Sequence, residues 1–360
     1  MSWSRARELL SRLSPPVIVM HWDMDGVASA TLAAQASGKP GEAAFASPNF
    51  RYAFDKPFLD RVRGLARGRK LLVVVDLAIP GGSVKLLQRY TARPAVVLDH
   101  HVQPEPPDDP AITYVNPAAR GDPAGNWPSA AHVIASVTGV GDPLLVAASI
   151  VGDLGPAARA NRWYQNYMVK AGLDPARDYH IPEACASLVD SASTMGRLDV
   201  IEALPARLSL EEEPCMLILE DGLLHSLKAQ AEAELEQLLD MAEEAVEEPI
   251  PGVLLYRLEG GGRHASKLAR RLALKHSDKI VVVAYKSKAT GEERVYARTY
   301  KRGAPLLASR AVVSRLRSLG LSAGGKSQGP NNVLAVEAPP GRLEEALEAV
   351  LEELRGLLAR

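Results

Sequence analysis

Two cysteines, Cys185 and Cys215, are all that 360 residues contain. That is too few for a disulfide framework or a cysteine zinc cluster, and it fits a reducing compartment. No apolar run approaches the ~20 residues that cross a bilayer, so no membrane span is expected. The opening segment MSWSRARELLSRLSPP is amphipathic and lacks a signal-peptide apolar core. Aromatic residues make up 5% of the chain, which leaves few rings for base stacking. The expectation is a cytoplasmic protein with no membrane association. A hydrophobic share of 47% and a charged share of 24% are ordinary for globular proteins. The length exceeds the roughly 250–300 residues that one core usually serves, so two domains are expected.

The net charge of −1 hides an uneven distribution. Residues 211–248 hold 13 Asp/Glu against one Lys, a net of −12, as on a solvated helix. Residues 263–317 hold 15 Lys/Arg against three Asp/Glu, a net of +12. The basic run spans several elements, which suits an anionic partner such as nucleic acid. Arg263, Lys267, Arg270 and Arg271 fall on one stripe of a helix whose other face is rich in Leu and Ala. The stripe is expected to follow a nucleic-acid backbone with salt-dependent affinity.

The first half alternates short β-branched runs with helical segments, the pattern of a parallel sheet wrapped by helices. Strands are expected at 17–20, 71–75, 95–98 and 112–115, with a helix starting at 126–129 and another from Asp142 to Asp153. Residues 223–247 have the composition of a long helix. The rest reads as a smaller α/β unit. It has strands near 253–258, 280–286, 294–300 and 333–338, and helices at 264–276, 306–319 and 343–358. A hairpin turn is expected at 289–291, a turn or break at 260–262, and a glycine-rich loop at 323–329. The expected domains are 1–208, a helical connector 209–250, and 251–360.

Acidic or histidine residues follow each apolar run: HWDMDG at 21–26, Asp76, DHH at 99–101, and Asp153 in IVGDLG. Polar groups at the carboxyl ends of parallel strands converge on one crevice, where open α/β sheets bind ligands. Singly, each has an ordinary structural explanation, a helix cap or a hydrogen-bonded core histidine. Together, His21, Asp23, Asp25, Asp76, Asp99, His100, His101 and Asp153 concentrate negative charge that needs cations to offset it. Two divalent metals sharing one carboxylate meet that need. The mixed imidazole and carboxylate set suits manganese or another first-row ion, with magnesium or cobalt able to substitute. Such a pair suits phosphoester hydrolysis. Phe50, Tyr52 and Phe54 read mostly as core, and Trp127 as the best base-stacking candidate.

The four motifs HWDMDG, VVVDLA, VLDHH and IVGDLG, over residues 15–160, resemble in order and spacing those of the DHH phosphoesterase superfamily, which includes RecJ-type exonucleases, oligoribonucleases and cyclic-dinucleotide phosphodiesterases. The C-terminal region resembles the family's DHH-associated substrate-binding domain, with the compact two-domain members and archaeal RecJ-like nucleases as the nearest in layout. The resemblance implies that His21, Asp23 and Asp76 hold one metal, and that Asp25, His100 and Asp153 hold the second with Asp76 bridging. It implies that Asp99 orients a histidine and that His101 contacts the scissile phosphate or assists the leaving group. In RVYARTY it implies that Arg298 grips a substrate phosphate. In AGGKSQG it implies that Gly324 and Gly325 admit a terminal phosphate, with Lys326 standing where the family has a histidine.

The implied function is two-metal hydrolysis of single-stranded DNA or RNA ends, or of short oligonucleotides. The alternatives are hydrolysis of a small phosphate compound, such as a cyclic dinucleotide or nucleotide phosphate, and a replication or repair scaffold. A replisome or helicase protein is the expected partner for docking.

Overall fold

A computed structural model describes residues 2–50, 54–101, 106–288, 290–328 and 331–359. Tyr52, Ala289 and Gly329, named in the sequence reading, lie outside the described residues. The chain divides into two compact units, residues 1–193 with 197–228, and residues 194–196 with 229–360.

The first unit opens with helix α1 (Ser2–Arg12), strand β1 (Pro16–Met20), helix α2 (Met24–Ala36) and a three-residue strand β2 (Ala44–Ala46). There follow α3 (Lys56–Leu65), β3 (Leu71–Val75), α4 (Gly81–Thr91), β4 (Ala95–Leu98) and β5 (Ile112–Val115). Helices α5 (Ala130–Thr138), α6 (Pro143–Leu154), α7 (Arg162–Lys170), α8 (His180–Thr194), α9 (Leu198–Leu208) and α10 (Pro214–Glu220) come next. The five strands form one sheet in the order β2-β1-β3-β4-β5, and every pairing is parallel.

Both faces of this sheet are covered, which is why its strands read as unbroken β-branched runs rather than alternating ones. Val17, Val19, Leu72, Val74 and Val97 meet α3 and α4 through Phe58, Val62, Val84 and Leu87. The opposite face lies under α2, whose side chains are buried from Met24 through Ala34. A helix apolar on all sides belongs inside a core, and α2 is surrounded by β1, α5, α6 and α9. Its start is tight, because a Cβ at Gly26 would run into the His21 carbonyl oxygen. Strand β2, an edge strand of three residues, gives too short a pattern to be read from sequence.

The long helix α11 (Gly222–Glu244) begins in the first unit and continues in the second. Its later turns are core rather than bare connector: Leu235, Leu238 and Ala242 pack with Leu254, Tyr256 and Leu268. The second unit continues with β6 (Val246–Ile250), β7 (Val253–Gly260), α12 (Ala265–Lys275), β8 (Ile280–Ser287) and β9 (Glu293–Thr299). It ends with α13 (Arg310–Ser318), β10 (Ser322–Gln328), β11 (Asn331–Ala338) and α14 (Leu343–Leu358). The sheet order is β10-β11-β9-β8-β7-β6, with β7–β8 parallel and the other pairs antiparallel.

Two expectations change here. The helix expected from 306 starts at Arg310, where Ser309 caps it by accepting from the Val312 amide. The expected glycine-rich loop is instead strand β10, paired residue by residue with β11. The glycines serve that pairing unequally. A Cβ on Gly325 would collide with the Val333 carbonyl oxygen and sit 2.7 Å from Ala308 Cβ, whereas one on Gly324 would meet nothing within 4 Å. Among the described residues, no helix is long and apolar enough to cross a membrane.

The glycine contrast is measurable. Gly325→Ala is expected to lower unfolding free energy by roughly 1–3 kcal/mol through overpacking, and Gly324→Ala to change it by less than about 0.5 kcal/mol. Urea unfolding of both variants checks this, and equal effects would contradict the assigned packing.

Candidate metal centre

Three strand ends and two helix ends deliver the sequence motifs to one place. His21 follows β1, Asp76 follows β3, and Asp99, His100 and His101 follow β4. Asp23 and Asp25 sit at the start of α2, and Asp153 lies in the last turn of α6. Asp23 caps α2 by accepting from the Gly26 amide at 3.0 Å. Asp190 supports the same helix end by accepting from the Met24 amide at 3.1 Å. Asp76 has φ +53, a left-handed conformation that Asp adopts more readily than most residues, at a cost of about 1 kcal/mol.

Three overlapping triads result: His21, Asp23 and Asp76; Asp25, His100 and Asp153; and Asp76, His100 and His101. Within each, the potential ligand atoms lie within 4.8 Å of one another. His21 Nδ1 is 2.7 Å from Asp23 Oδ2 and 3.6 Å from Asp76 Oδ2. His100 Nε2 is 3.1 Å from Asp153, 3.6 Å from Asp76 and 3.7 Å from Asp25. Asp76 is therefore shared by both halves of the cluster, one oxygen toward each. Its Oδ1 is buried and hydrogen-bonds to no described protein group, which suits a cation ligand.

Supporting contacts fix the rest. The Ala130 and Ala131 amides at the start of α5 donate to the two oxygens of Asp25 at 2.6 and 3.0 Å. Asp99 Oδ1 accepts from the His100 and His101 amides and lies 2.9 Å from His101 Nδ1. The imidazole that Asp99 orients is thus that of His101, while His100 Nδ1 faces the Trp127 carbonyl oxygen at 3.1 Å. His101 is the most open of the three imidazoles, with 34% of its side chain exposed against 12% for His21 and 11% for His100.

Residues 16–149 match the DHH family, N-terminal domain. The match covers 134 of the 360 residues and includes all five strands of the first sheet. No curated protein matches it significantly in sequence. Among solved structures, the chain resembles RecJ of Thermus thermophilus in complex with Mn2+ (TM-score 0.67, 17% identity), over 98% of this chain and 55% of that one. It resembles exonuclease RecJ bound to manganese (TM-score 0.59, 16% identity) over 99% of this chain and 94% of that one. It also resembles the DHH domain of a protein described as a member of a ribosomal-protein family (TM-score 0.65, 16% identity), over 98% and 89%. At such identities the likeness is one of fold.

The electrostatics of this cluster fit bound cations. Two carboxylates about 4 Å apart repel by roughly 4 kcal/mol at an effective dielectric near 20. Burial and then the neighbouring Asp25, Asp23 and Asp153 push Asp76 well above the usual carboxylate range. Burial, with Asp153, pushes Asp25 up to about 7. Burial opposes charge on His100, but Asp153 and Asp25 overcome it and raise its pKa to about 10. Burial likewise opposes charge on Asp23 and Asp99, but His21 and His101 respectively hold them low. Burial and mutual repulsion thus favour protons on Asp76, Asp25 and His100, a charge balance that bound cations could also supply.

The C-terminal candidates lie in the second unit. Arg298 is on β9, 5% exposed, with its guanidinium 5.3 Å from the Tyr300 ring centroid. Gly324, Gly325 and Lys326 are consecutive residues of β10, and the Lys326 side chain is outside the described set. Of the expected basic stripe, Arg270 and Arg271 are exposed, whereas Arg263 is largely buried and paired with Glu292 at 2.7 Å. Phe50 packs on Trp22 and Phe54 on Phe58, as core residues. Trp127 is not an open stacking platform, since its ring lies against Trp3 and His132. The amides of Ala130 and Ala131, the Trp127 carbonyl and Asp190 escape sequence reading, because backbone groups and a lone helical carboxylate leave no motif.

The shifted carboxyls give a pH-dependent signature. Because Asp25 is raised in the folded chain, its stabilising contribution is present at acid pH and is lost as pH rises through about 7, and Asp76, raised well above the usual carboxylate range, acts in the same direction. Asp23 and Asp99 are lowered, so their contribution is present above the ordinary carboxylate range and is lost on acidification. Cations bound at Asp25 and Asp76 would replace protons there, so added Mn2+ is expected to raise Tm more at about pH 8 than at about pH 6. Thermal melts with and without the metal check this, and a larger rise at the acid pH would contradict it.

Proposed function

We propose that this protein hydrolyses phosphodiester bonds of single-stranded nucleic acid or short oligonucleotides, using two divalent cations, with manganese favoured. The observation that carries the reading is Asp76, with one oxygen toward His21 of the His21–Asp23–Asp76 triad and the other toward His100 of the Asp25–His100–Asp153 triad. His21 and Asp23 hold one cation with Asp76, and Asp25, His100 and Asp153 hold the other. Bound there, the metals supply electrophilic charge to the phosphate oxygens and lower the pKa of the attacking water.

The chain's own groups do the positioning. Asp99 fixes His101 through Nδ1, which leaves Nε2 on an accessible ring to donate to a phosphate or leaving-group oxygen. The Asp99–His101 contact keeps a hydrogen on Nδ1, so donation from Nε2 uses the imidazolium form. Water adds to phosphorus, the bond to the leaving oxygen breaks, and that oxygen takes up a proton.

A nucleic-acid strand suits the second unit's charge better than a small phosphate compound does. Residues 263–317 carry a net +12, with Arg270 and Arg271 exposed on α12. The structurally similar RecJ, an exonuclease seen with manganese, supports the same reading. Arg298, Gly324, Gly325 and Lys326 are proposed to bind substrate from the sheet of this unit.

End-labelled single-stranded DNA and RNA test the proposal. Cleavage is expected with Mn2+ and none with a chelator, and Asp76→Ala or Asp99→Ala should reduce the rate by at least ~10²–10³-fold. Absence of hydrolysis with any divalent metal would refute it. Separately, Arg270→Glu with Arg271→Glu is expected to weaken binding and flatten the salt dependence by about two phosphate contacts. Filter binding at several salt concentrations measures this.

A further inference from the structure

Residues 127–131 touch the candidate metal centre at two of its ligands. At one end of the segment, the Ala130 and Ala131 amides hold Asp25. At the other, the Trp127 carbonyl oxygen faces His100 Nδ1 at 3.1 Å. A carbonyl only accepts, so Nδ1 carries a hydrogen, and Nε2, which faces Asp153, Asp76 and Asp25, is the nitrogen that gives up its proton and offers a lone pair when a cation binds. Pro128 disfavours the helical conformation at residue 127, so this carbonyl stays outside α5. Ser129 then caps the helix by accepting from the His132 amide.

The side chain of Trp127 anchors the carbonyl. Its ring centroid lies 5.4 Å from that of Trp3 on α1 and 5.4 Å from that of His132 on α5. His132 is buried, packs on Trp163 at 4.5 Å, and places Nδ1 3.0 Å from the Tyr167 hydroxyl. The indole is therefore clamped by the N-terminal helix on one side and by an aromatic cluster from α5 and α7 on the other. Arg7 Nε donates to the Val137 carbonyl at 2.7 Å, tying α1 to the far end of α5.

We propose that Trp127 is a positioning residue for His100: its carbonyl sets the tautomer that turns Nε2 toward the carboxylates, and its ring, gripped by Trp3 and His132, holds the carbonyl there. The proposal rests on the reading of the cluster as a metal centre. Groups that orient a metal-bound imidazole typically change metal affinity 10–100-fold when lost. Trp3, far from the motifs in sequence, thereby affects metal binding.

Two measurements test this. Mn2+ affinity by calorimetric titration is expected to fall about 10–100-fold in Trp127→Ala, to stay within about 3-fold in Trp127→Phe, and to fall by an intermediate amount in Trp3→Ala. Nitrogen-15 histidine NMR of the wild-type protein with Mg2+ is expected to show His100, assigned by loss of its signals in His100→Gln, with hydrogen on Nδ1 and none on Nε2. The NMR arm decides even where Trp127→Ala does not fold. Wild-type affinity retained in Trp127→Ala, or hydrogen on Nε2, overturns the proposal while leaving the metal centre intact. Failure of the wild-type protein to bind Mn2+ overturns the metal reading and the proposal with it.

Discussion

Buried carboxylates a few ångströms apart cannot all carry charge unless positive charge lies among them, and the layout of the first unit follows from that constraint. Asp76 is where it is most acute, since its two oxygens face opposite halves of the cluster. The protein accepts a left-handed backbone at this residue and leaves one of its buried oxygens without a hydrogen bond to any described protein group. Both features are unfavourable alone. Both are reasonable for a group whose partner is a cation.

The fold converts distant sequence positions into one constellation by simple means. A parallel sheet aligns the carboxyl ends of β1, β3 and β4, and each strand ends on a residue that could hold or orient a metal. Helix ends complete the set, with α2 supplying carboxylates, α5 supplying amides and α6 supplying Asp153. The amides of α5 hold Asp25 because free N–H groups and the helix dipole favour negative charge there. No single element contains the site, and rigid strand ends keep its members in register.

Much of this was legible in the sequence because buried parallel strands leave continuous β-branched runs, and β3, β4 and β5 fall where those runs lie. The polar residues just after the runs were equally legible, since chain order alone brings them to the sheet edge. What escaped was of two kinds. Short or polar edge elements, β2 and β6, carry too little pattern, and VEEPI of β6 reads as part of an acidic helix. The glycine run at 324–325 reads as a loop because backbone freedom is its usual meaning, yet Gly325 is there for close strand packing. Trp127 was misjudged similarly. Its ring suggested stacking on a base, while the carbonyl, invisible in a one-letter code, is the group that reaches the site.

The all-round burial of α2 has a dynamic consequence. Its peptide groups belong to the part of the domain that opens only when the whole unit unfolds, because no side of the helix can be peeled from solvent inward. Asp23 and Asp25 ride on the first turn of that helix, so their separation is insulated from surface breathing. Movement within the cluster would then have to come from Asp76, Asp153 and the histidines, none of which α2 carries.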